Sequence, residues 1–513
     1  MFRRAVGSEI YVDKTRLIDY TNKVFRSEQQ NLCVSRPRRF GKSMAANMLS
    51  AYYDRTADSK ELFAGLQISG TESFAKHLNK YDVIKVNMQD FLSRTKDVAG
   101  LIALLQKAVT RDLRKAYPQV DYLDGESLSM SMADIYEETQ NPFVVIIDEW
   151  DCVFRDCSYH QDWQRRYLDF LREWLKDKSY IGLAYMTGIL PIKKYGTHSA
   201  LNMFKEFSME NPGELVPYVG FTREEVQELC ARYGRDFEEC CAWYDGYAYR
   251  NLGVNEIYNP RSVVEAVSSG VFDTYWNKTE TFEALKVYID MDYDGLREAV
   301  IALMAKEPCR IDTGHFANDM TTFHDMDDVL TLLIHLGYLG YDFADRSVFI
   351  PNREIMQEYV NATRTGGWDE VARAVRQSDS LLEATLAKDA EAVADGIEEA
   401  HLETSHLQYN DENALSYTLS LAYYTARQKY IIVREFPTGK GFADLVFLPR
   451  RSYMYLPAMV IELKWDKSAE TAIRQIKAKK YPHSLENYAG ELLLVGISYD
   501  RKTKVHECAI ESW

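Results

Sequence analysis

The chain has 513 residues, 46% of them hydrophobic and 27% charged, and carries a formal net charge of −16. That length exceeds one ordinary core and calls for about two to four domains of soluble, globular composition. No apolar run is long enough to span a bilayer, the opening Met1-Phe2-Arg3-Arg4 lacks an apolar signal core, and the eight cysteines are scattered with no CxxC pair, which argues against a membrane partner, a disulfide framework and a zinc site and predicts a cytoplasmic protein.

The negative total also argues against a general nucleic-acid coat, because phosphate binding needs local positive charge. The charge is uneven, however. From position 401 onward 15 Lys and Arg meet 13 Asp and Glu, whereas the first 400 residues hold 46 against 64. A mildly basic C-terminal segment on an acidic body can meet a phosphate backbone, or can simply present solvated lysines on a surface helix.

In chain order, the first 210 residues or so alternate strand-like apolar runs with helical patterns, the habit of an α/β domain with a mainly parallel sheet. The predicted strands are Asn31–Ser35, Val83–Asn87, Phe143–Asp148 and Ile181–Thr187. From about 215 to 370 the pattern turns helical, with turn signals at Asp245-Gly246 and Asn259-Pro260. Within it Asp327–His335 reads as a helix and Gly337–Ile350 as a short hairpin, the order found in a winged-helix module. Residues Asp369 to Glu403, rich in Ala, Glu and Asp, read as a solvent-exposed helix pair leading into the last domain.

The first chemical motif is Ser35-Arg36-Pro37-Arg38-Arg39-Phe40-Gly41-Lys42-Ser43. It follows the strand Leu32-Cys33-Val34 and opens a helical run from Met44 to Tyr53, the setting in which free helix N–H groups face an anion. Lys42 would reach the β- and γ-phosphates of ATP, and Ser43 would offer its hydroxyl to Mg²⁺. The usual phosphate loop has glycine where this chain has Arg36, so the match is partial and an ordinary strand-to-helix turn with surface arginines is the rival reading. The second motif strengthens it. Phe143 through Ile147 is apolar on both faces, as a central parallel strand must be, and ends in Asp148-Glu149. Asp148 would hold the Mg²⁺ shell and Glu149 would polarise the attacking water, making a Walker A and B pair. Thr187, ending the next apolar run, either senses the γ-phosphate or caps a turn. The candidate nucleotide contacts are thus Arg36, Arg38, Arg39, Gly41, Lys42, Ser43, Asp148 and Thr187.

The C-terminal region carries a separate constellation. A turn and strand over Gly439–Phe447 present Asp444, and a second strand, Ala458–Lys464, presents Glu462 and Lys464 on one face while Ile461 and Leu463 point inward. Adjacent strands would set Asp444 beside Glu462 as two carboxylates for Mg²⁺, with Mn²⁺ as a substitute, and Lys464 as a point charge. The spacing Asp…Glu-x-Lys is the PD-(D/E)xK nuclease signature; a surface salt bridge on an amphipathic strand is the bland alternative. Glu412, with Asp411 competing, stands where an accessory acidic ligand would sit, and Gln475 and Tyr481 are candidate substrate contacts on and after the following helix. A helix cap and plain surface positions are the alternatives for these.

Taken together, the stretches Tyr11–Thr15, Ser35–Ser43, Ile147–Glu149, Thr187-Gly188, Trp243–Tyr247, Tyr258–Pro260, His335–Leu339, Asp444 and Ile461–Lys464 resemble the bacterial family of predicted AAA-type ATPase-like proteins with a C-terminal PD-(D/E)xK nuclease-superfamily domain. In that family Arg commonly takes the place of the first loop glycine, as Arg36 does. Relatives often place Arg before the strand aspartate, where this chain has Phe442-Ala443. The resemblance implies an α/β architecture in three parts: an AAA-like P-loop domain over 1–212, a helical lid and winged-helix-like region over 213–370, and a helical linker with a restriction-endonuclease-like domain over 371–513. It implies ATP hydrolysis coupled to Mg²⁺-dependent cleavage of DNA or RNA, in a chain free to form homo-oligomers, with Tyr11–Lys14 near the nucleotide. Two rival readings stand beside it: a nuclease scaffold that binds nucleic acid or protein without cutting, and a nucleotide-regulated switch. Arg38, Arg39 and Arg155 are the candidates for an arginine finger.

Overall fold

The computed structural model describes the chain apart from residues 193–200, 248–255, 277–282, 292, 305, 307, 318–319, 321, 364–368, 404–418, 420–421, 424–425, 427–428, 439–440, 451–452, 480–490 and 504. It falls into two compact units, Met1–Arg297 with Pro308–Gln357 and Glu298–Glu307 with Glu358–Trp513. Among the described residues no helix is long and apolar enough to cross a membrane.

In the first unit, strands β1 (Asn31–Ser35), β2 (Asp82–Asn87), β3 (Phe143–Asp148), β4 (Ile181–Gly188) and β5 (Lys205–Phe207) form a parallel sheet in the order β2-β3-β4-β1-β5. The four strands expected from apolar runs are all present. β5 was not foreseen, because three residues are too few to show a period. β1, β3 and β4 are buried at every position, while the edge strand β2 is only partly so, which is why the first three read as unbroken apolar runs. One face packs against the helices Val98–Ala116, Leu128–Thr139 and Gln161–Leu175 through Leu101, Leu105, Met132, Leu168, Leu171 and Trp174. The helix Lys42–Tyr53 also packs on β2, β3 and β4.

A helical cluster follows. The helix Arg223–Tyr233 starts at a reciprocal cap between Thr222 and Glu225 and stops at Gly234 in the left-handed region. The Asn259-Pro260 turn signal becomes a helix start: the Asn259 side chain accepts from the N–H groups of Arg261 and Ser262, and Pro260 opens the helix Pro260–Ser269. These helices and Phe237–Tyr244 bury Val226, Leu229, Tyr244, Val263 and Val267 together, with a short antiparallel pair, β6 (Phe221–Thr222) and β7 (Ile257–Tyr258), between them. The expected helix-then-hairpin order is also present. The helix Met326–Leu336 is followed by β9 (Gly340–Asp342) and β10 (Ser347–Phe349), and β8 (Cys309–Arg310) completes a sheet in the order β8-β10-β9.

The second unit holds a mixed sheet of β11 (Tyr430–Thr438), β12 (Gly441–Pro449), β13 (Ala458–Trp465), β14 (Leu492–Asp500) and β15 (Val505–Ser512), in sequence order. Only β13 and β14 run parallel, and the helix Ala469–Ala478 lies in the connection between them. That helix covers one face through Ile473 and Ile476 against Val446, Val460 and Leu494. The helices Asp369–Ala387 and Ala390–Glu403 were expected to be solvent-exposed, and here the structure corrects the sequence: Leu381, Leu382, Val393 and Ile397 are buried in the core of Leu445, Phe447, Ile461, Leu463 and Val495. Their apolar stripe is narrow, so a composition dominated by Ala and Glu hides it.

Gly337 ends the helix Met326–Leu336 with φ +88, and a Cβ built there would stand 2.7 Å from Cβ of Pro37 and 2.8 Å from the Trp276 ring. Gly337→Ala is therefore expected to lower the unfolding free energy by about 1–3 kcal/mol. Denaturant titration of the full chain checks this, and an unchanged midpoint would mean that Pro37 and Trp276 move aside freely.

Candidate functional site

The Ser35–Ser43 loop leaves β1 at the carboxyl end of the sheet and turns into the helix Lys42–Tyr53. The turn needs two left-handed residues, Arg39 at φ 67 and Gly41 at φ 89; only the second is glycine, so Arg39 is a strained position. Arg36, read from the sequence as a nucleotide contact, is buried, and its Nη1 donates to the carbonyls of Ser35, Phe207 and Ser208 at 2.8, 2.8 and 3.0 Å. Those bonds fasten the loop to the end of β5. Lys42 is 5% exposed and its Nζ donates to the carbonyls of Arg36 and Pro37 at 2.9 and 2.8 Å. Burial lowers its pKa to about 8, against the pull of Glu149, Asp151 and Asp148.

The neighbouring strand ends supply the acidic side. Asp148 is 3% exposed and lies in register with Asn87 on β2 and Thr187 on β4. The Thr187 hydroxyl is buried with no hydrogen-bond partner among the described residues, which an ordinary turn cap would have. Glu149 follows at φ 54, and its Oε2 accepts from Arg155 at 2.5 Å. A cleft of about 810 Å³ opens beside Lys42 and Glu149, with neither Asp148 nor Thr187 on its wall. Arg38, Arg39, Lys42, Ser43, Glu149 and Arg261 line its polar side, and Ile10, Met44, Pro260 and Val264 line its apolar side. Tyr11 to Lys14 are not on this cleft wall. They lie in the adjoining chain, where Lys14 donates to the Pro217 carbonyl at 2.7 Å and pairs with Glu225 at 2.5 Å. Arg261 and the Ser8–Ile10 segment had no sequence signal beyond their nearness to the Asn259-Pro260 and Tyr11–Thr15 stretches.

In the second unit the pairing of Leu445 with Ile461 sets Asp444 and Glu462 on facing positions of β12 and β13. The Asp444 Oδ2 accepts the Leu463 N–H at 2.7 Å. Glu462 is 1% exposed; its Oε1 accepts from Lys464 Nζ at 3.2 Å and from the Gln475 side chain. Lys464 also donates to the Leu463 carbonyl at 2.7 Å. The other oxygen, Glu462 Oε2, is buried with no hydrogen-bond partner among the described residues. Burial and then the nearby Asp444 push the Glu462 carboxyl up to about 7, with Lys464 and Lys479 opposing. Asp444, Glu462, Lys464 and Gln475 are thus brought together, whereas Glu412, Asp411 and Tyr481 lie outside the described residues. No group of three or more His, Cys, Asp or Glu side chains fit to hold a metal ion occurs among the described residues. Two facing carboxylates with one unclaimed buried oxygen do fit Mg²⁺, which commonly takes one or two carboxylates and completes its shell with water and substrate oxygens.

Residues 4–197 match the family described as predicted AAA-ATPase, and residues 412–508 match the PD-(D/E)XK nuclease superfamily. The chain therefore joins an AAA-ATPase-like N-terminal segment to a nuclease-superfamily C-terminal segment, in the order expected. It is 24% identical, over 96% of its length and 93% of the relative's, to the uncharacterized protein in the vnfD 5′ region of Azotobacter chroococcum mcd 1. Among solved structures, the Aeropyrum pernix ORC1 protein in complex with DNA is 12% identical, with 72% of this chain and 97% of that chain covered at a TM-score of 0.25. The Aeropyrum pernix ORC2 protein in its ADPNP-ADP complexes is 13% identical, with 70% and 98% covered at a TM-score of 0.24. At those TM-scores neither bears on fold or function.

The raised Glu462 pKa fixes a sign. The folded chain keeps this proton up to about pH 7, while the unfolded chain releases it near the usual carboxylate range, so the folded state loses stability as pH rises between the two. With divalent metal chelated, Glu462→Gln is expected to exceed wild-type stability by about 1–3 kcal/mol at about pH 8 and to match it near pH 4. Denaturant midpoints at the two pH values check this; equal stability at both would mean that Lys464 and Gln475 already offset the buried charge.

Proposed function

We propose that the first unit binds and hydrolyses ATP in the cleft beside Lys42, and that the second cleaves phosphodiester bonds of nucleic acid at Asp444, Glu462 and Lys464, with ATP turnover gating the cleavage. The observation that carries the hydrolytic reading is the facing pair Asp444 and Glu462, buried beside Lys464 with Glu462 Oε2 left unclaimed. A sheet that only needed a stable core would not retain two adjacent carboxylates there.

In the cleft, the first N–H groups of the helix Lys42–Tyr53 and the Lys42 ammonium face the phosphates, making the Walker A half of the site. Ser43 and Asp148 would hold Mg²⁺. Glu149 polarises the attacking water and takes its proton, and the Thr187 hydroxyl donates to the γ-phosphate. Ile10, Met44, Pro260 and Val264 give the base an apolar wall, so nucleotide ties the phosphate loop to the helix Pro260–Ser269. This suits a lid role for residues 213–370, between an ATPase part over 1–212 and a nuclease part over 371–513. In the second unit Asp444 and Glu462 would hold Mg²⁺ or Mn²⁺, which when bound supplies an activated water and neutralises phosphate charge. Lys464 steadies the charge developing on the phosphate, and Gln475 orients Glu462 through its hydrogen bond.

Three variants separate the parts. Lys42→Ala is expected to weaken ATP binding by about tenfold or more, and Glu149→Gln to bind ATP while losing about a hundredfold in turnover. Lys464→Ala is expected to abolish cleavage of labelled duplex DNA, single-stranded DNA or RNA while leaving ATP turnover intact. Cleavage measured in Mg²⁺ with and without ATP tests the gating. Wild-type protein that turns over ATP but cuts none of the three substrates would replace the nuclease by a binding module or a nucleotide-regulated switch.

A further inference from the structure

We infer that Arg155 is a positioning residue for Glu149: a buried guanidinium that fixes the carboxylate at the edge of the cleft and is itself anchored on Asp151. The inference rests on the ATPase reading of that cleft. Arg155 Nη2 meets Glu149 Oε2 at 2.5 Å, its Nε meets Asp151 Oδ2 at 3.2 Å, and its side chain is 11% exposed. Asp151 is fully buried, and the same Oδ2 accepts the N–H groups of Ile189 and Leu190 at 2.9 Å each. Those two residues directly follow Thr187-Gly188 at the end of β4. One connected set of charge-assisted hydrogen bonds therefore runs from the Glu149 carboxylate to the residues that directly follow the end of β4, the strand that carries Thr187.

Three physical points give this network a role in positioning. Glu149 stands at φ 54 directly after a fully buried strand, so its backbone conformation is costly and holds only where the surroundings enforce it. Asp148, Glu149 and Asp151 crowd three carboxylates into one turn of chain, and without a cation between them Glu149 would swing away from its neighbours. A guanidinium is planar with several fixed donors, so it spans two carboxylates at once in a way an ammonium cannot. The bond to Arg155 occupies Oε2, while Glu149 Oε1 has no hydrogen-bond partner among the described residues and is the oxygen left for water. Arg155 was an arginine-finger candidate in the sequence. Committed to two carboxylates of its own unit, it is assigned here to hold the base.

The test is steady-state ATP turnover by the full chain, with nucleotide affinity and thermal unfolding measured alongside, for wild type, Arg155→Ala and Arg155→Lys. Arg155→Ala is expected to lower kcat by about tenfold to a hundredfold with KM and nucleotide affinity within about threefold of wild type, and Arg155→Lys to recover part of the loss. A purely structural residue would lower the unfolding temperature and leave kcat per folded molecule unchanged. That result overturns the inference, as does a raised KM at unchanged kcat. If Arg155→Ala does not fold, Arg155→Lys decides, and wild-type kcat in that variant overturns it. Wild-type protein that binds ATP but never turns it over overturns the ATPase reading itself and the inference with it.

Discussion

A carboxylate taken out of water loses several kcal/mol of hydration unless cations or N–H donors replace it. Both candidate sites are organised around that penalty. At the first, Asp148, Glu149 and Asp151 cluster at the end of a fully buried strand, and Lys42 and Arg155 stand among them. At the second, Glu462 sits at 1% exposure on β13, with Lys464 and Gln475 on one oxygen and nothing among the described residues on the other. The two differ in how far the charge is met. One Asp151 oxygen, Oδ2, is held by two backbone N–H groups and a guanidinium, an arrangement suited to holding shape, although Oδ1 is buried with no hydrogen-bond partner among the described residues. Glu462 is incompletely met and its pKa rises to about 7, an open arrangement suited to receiving a cation.

Much of this was legible because it follows short periods along the chain. β1, β3 and β4 are buried at every residue, so their sequences are apolar without interruption. The Asp444–Glu462 pairing also came from pattern, since an aspartate and a Glu-x-Lys on successive antiparallel strands have few registers in which to meet. What stayed hidden depends on where a long side chain ends. Arg36 reads as a cleft residue by its place in the loop, yet its guanidinium crosses to the carbonyls of Phe207 and Ser208 on a strand too short to predict. The roles of Arg155 and Asp151 are equally invisible to periodicity, because they arise from a turn folding back under β4.

The middle segments acquire a physical meaning from the same loop. Gly337 caps the helix Met326–Leu336, far downstream of Pro37 in sequence, yet a Cβ on it would collide with that proline. The Gly337 carbonyl accepts the Tyr247 hydroxyl at 2.6 Å, and the Tyr247 ring meets Phe40 edge-on at 5.4 Å. Pro37 and Phe40 lie on the loop whose Lys42 faces the cleft, and Tyr247 and Gly337 come from the two stretches Trp243–Tyr247 and His335–Leu339. Those stretches, far apart in sequence, therefore clasp the loop from outside while nucleotide would engage it from within. A loop held on both sides by close-packed groups cannot adjust to phosphate alone, because packed contacts resist small displacements and yield by discrete rearrangement. Any shift that a bound nucleotide imposed on the loop would accordingly be felt at Tyr247 and Gly337, and through them by the helices Phe237–Tyr244 and Met326–Leu336 that precede these residues.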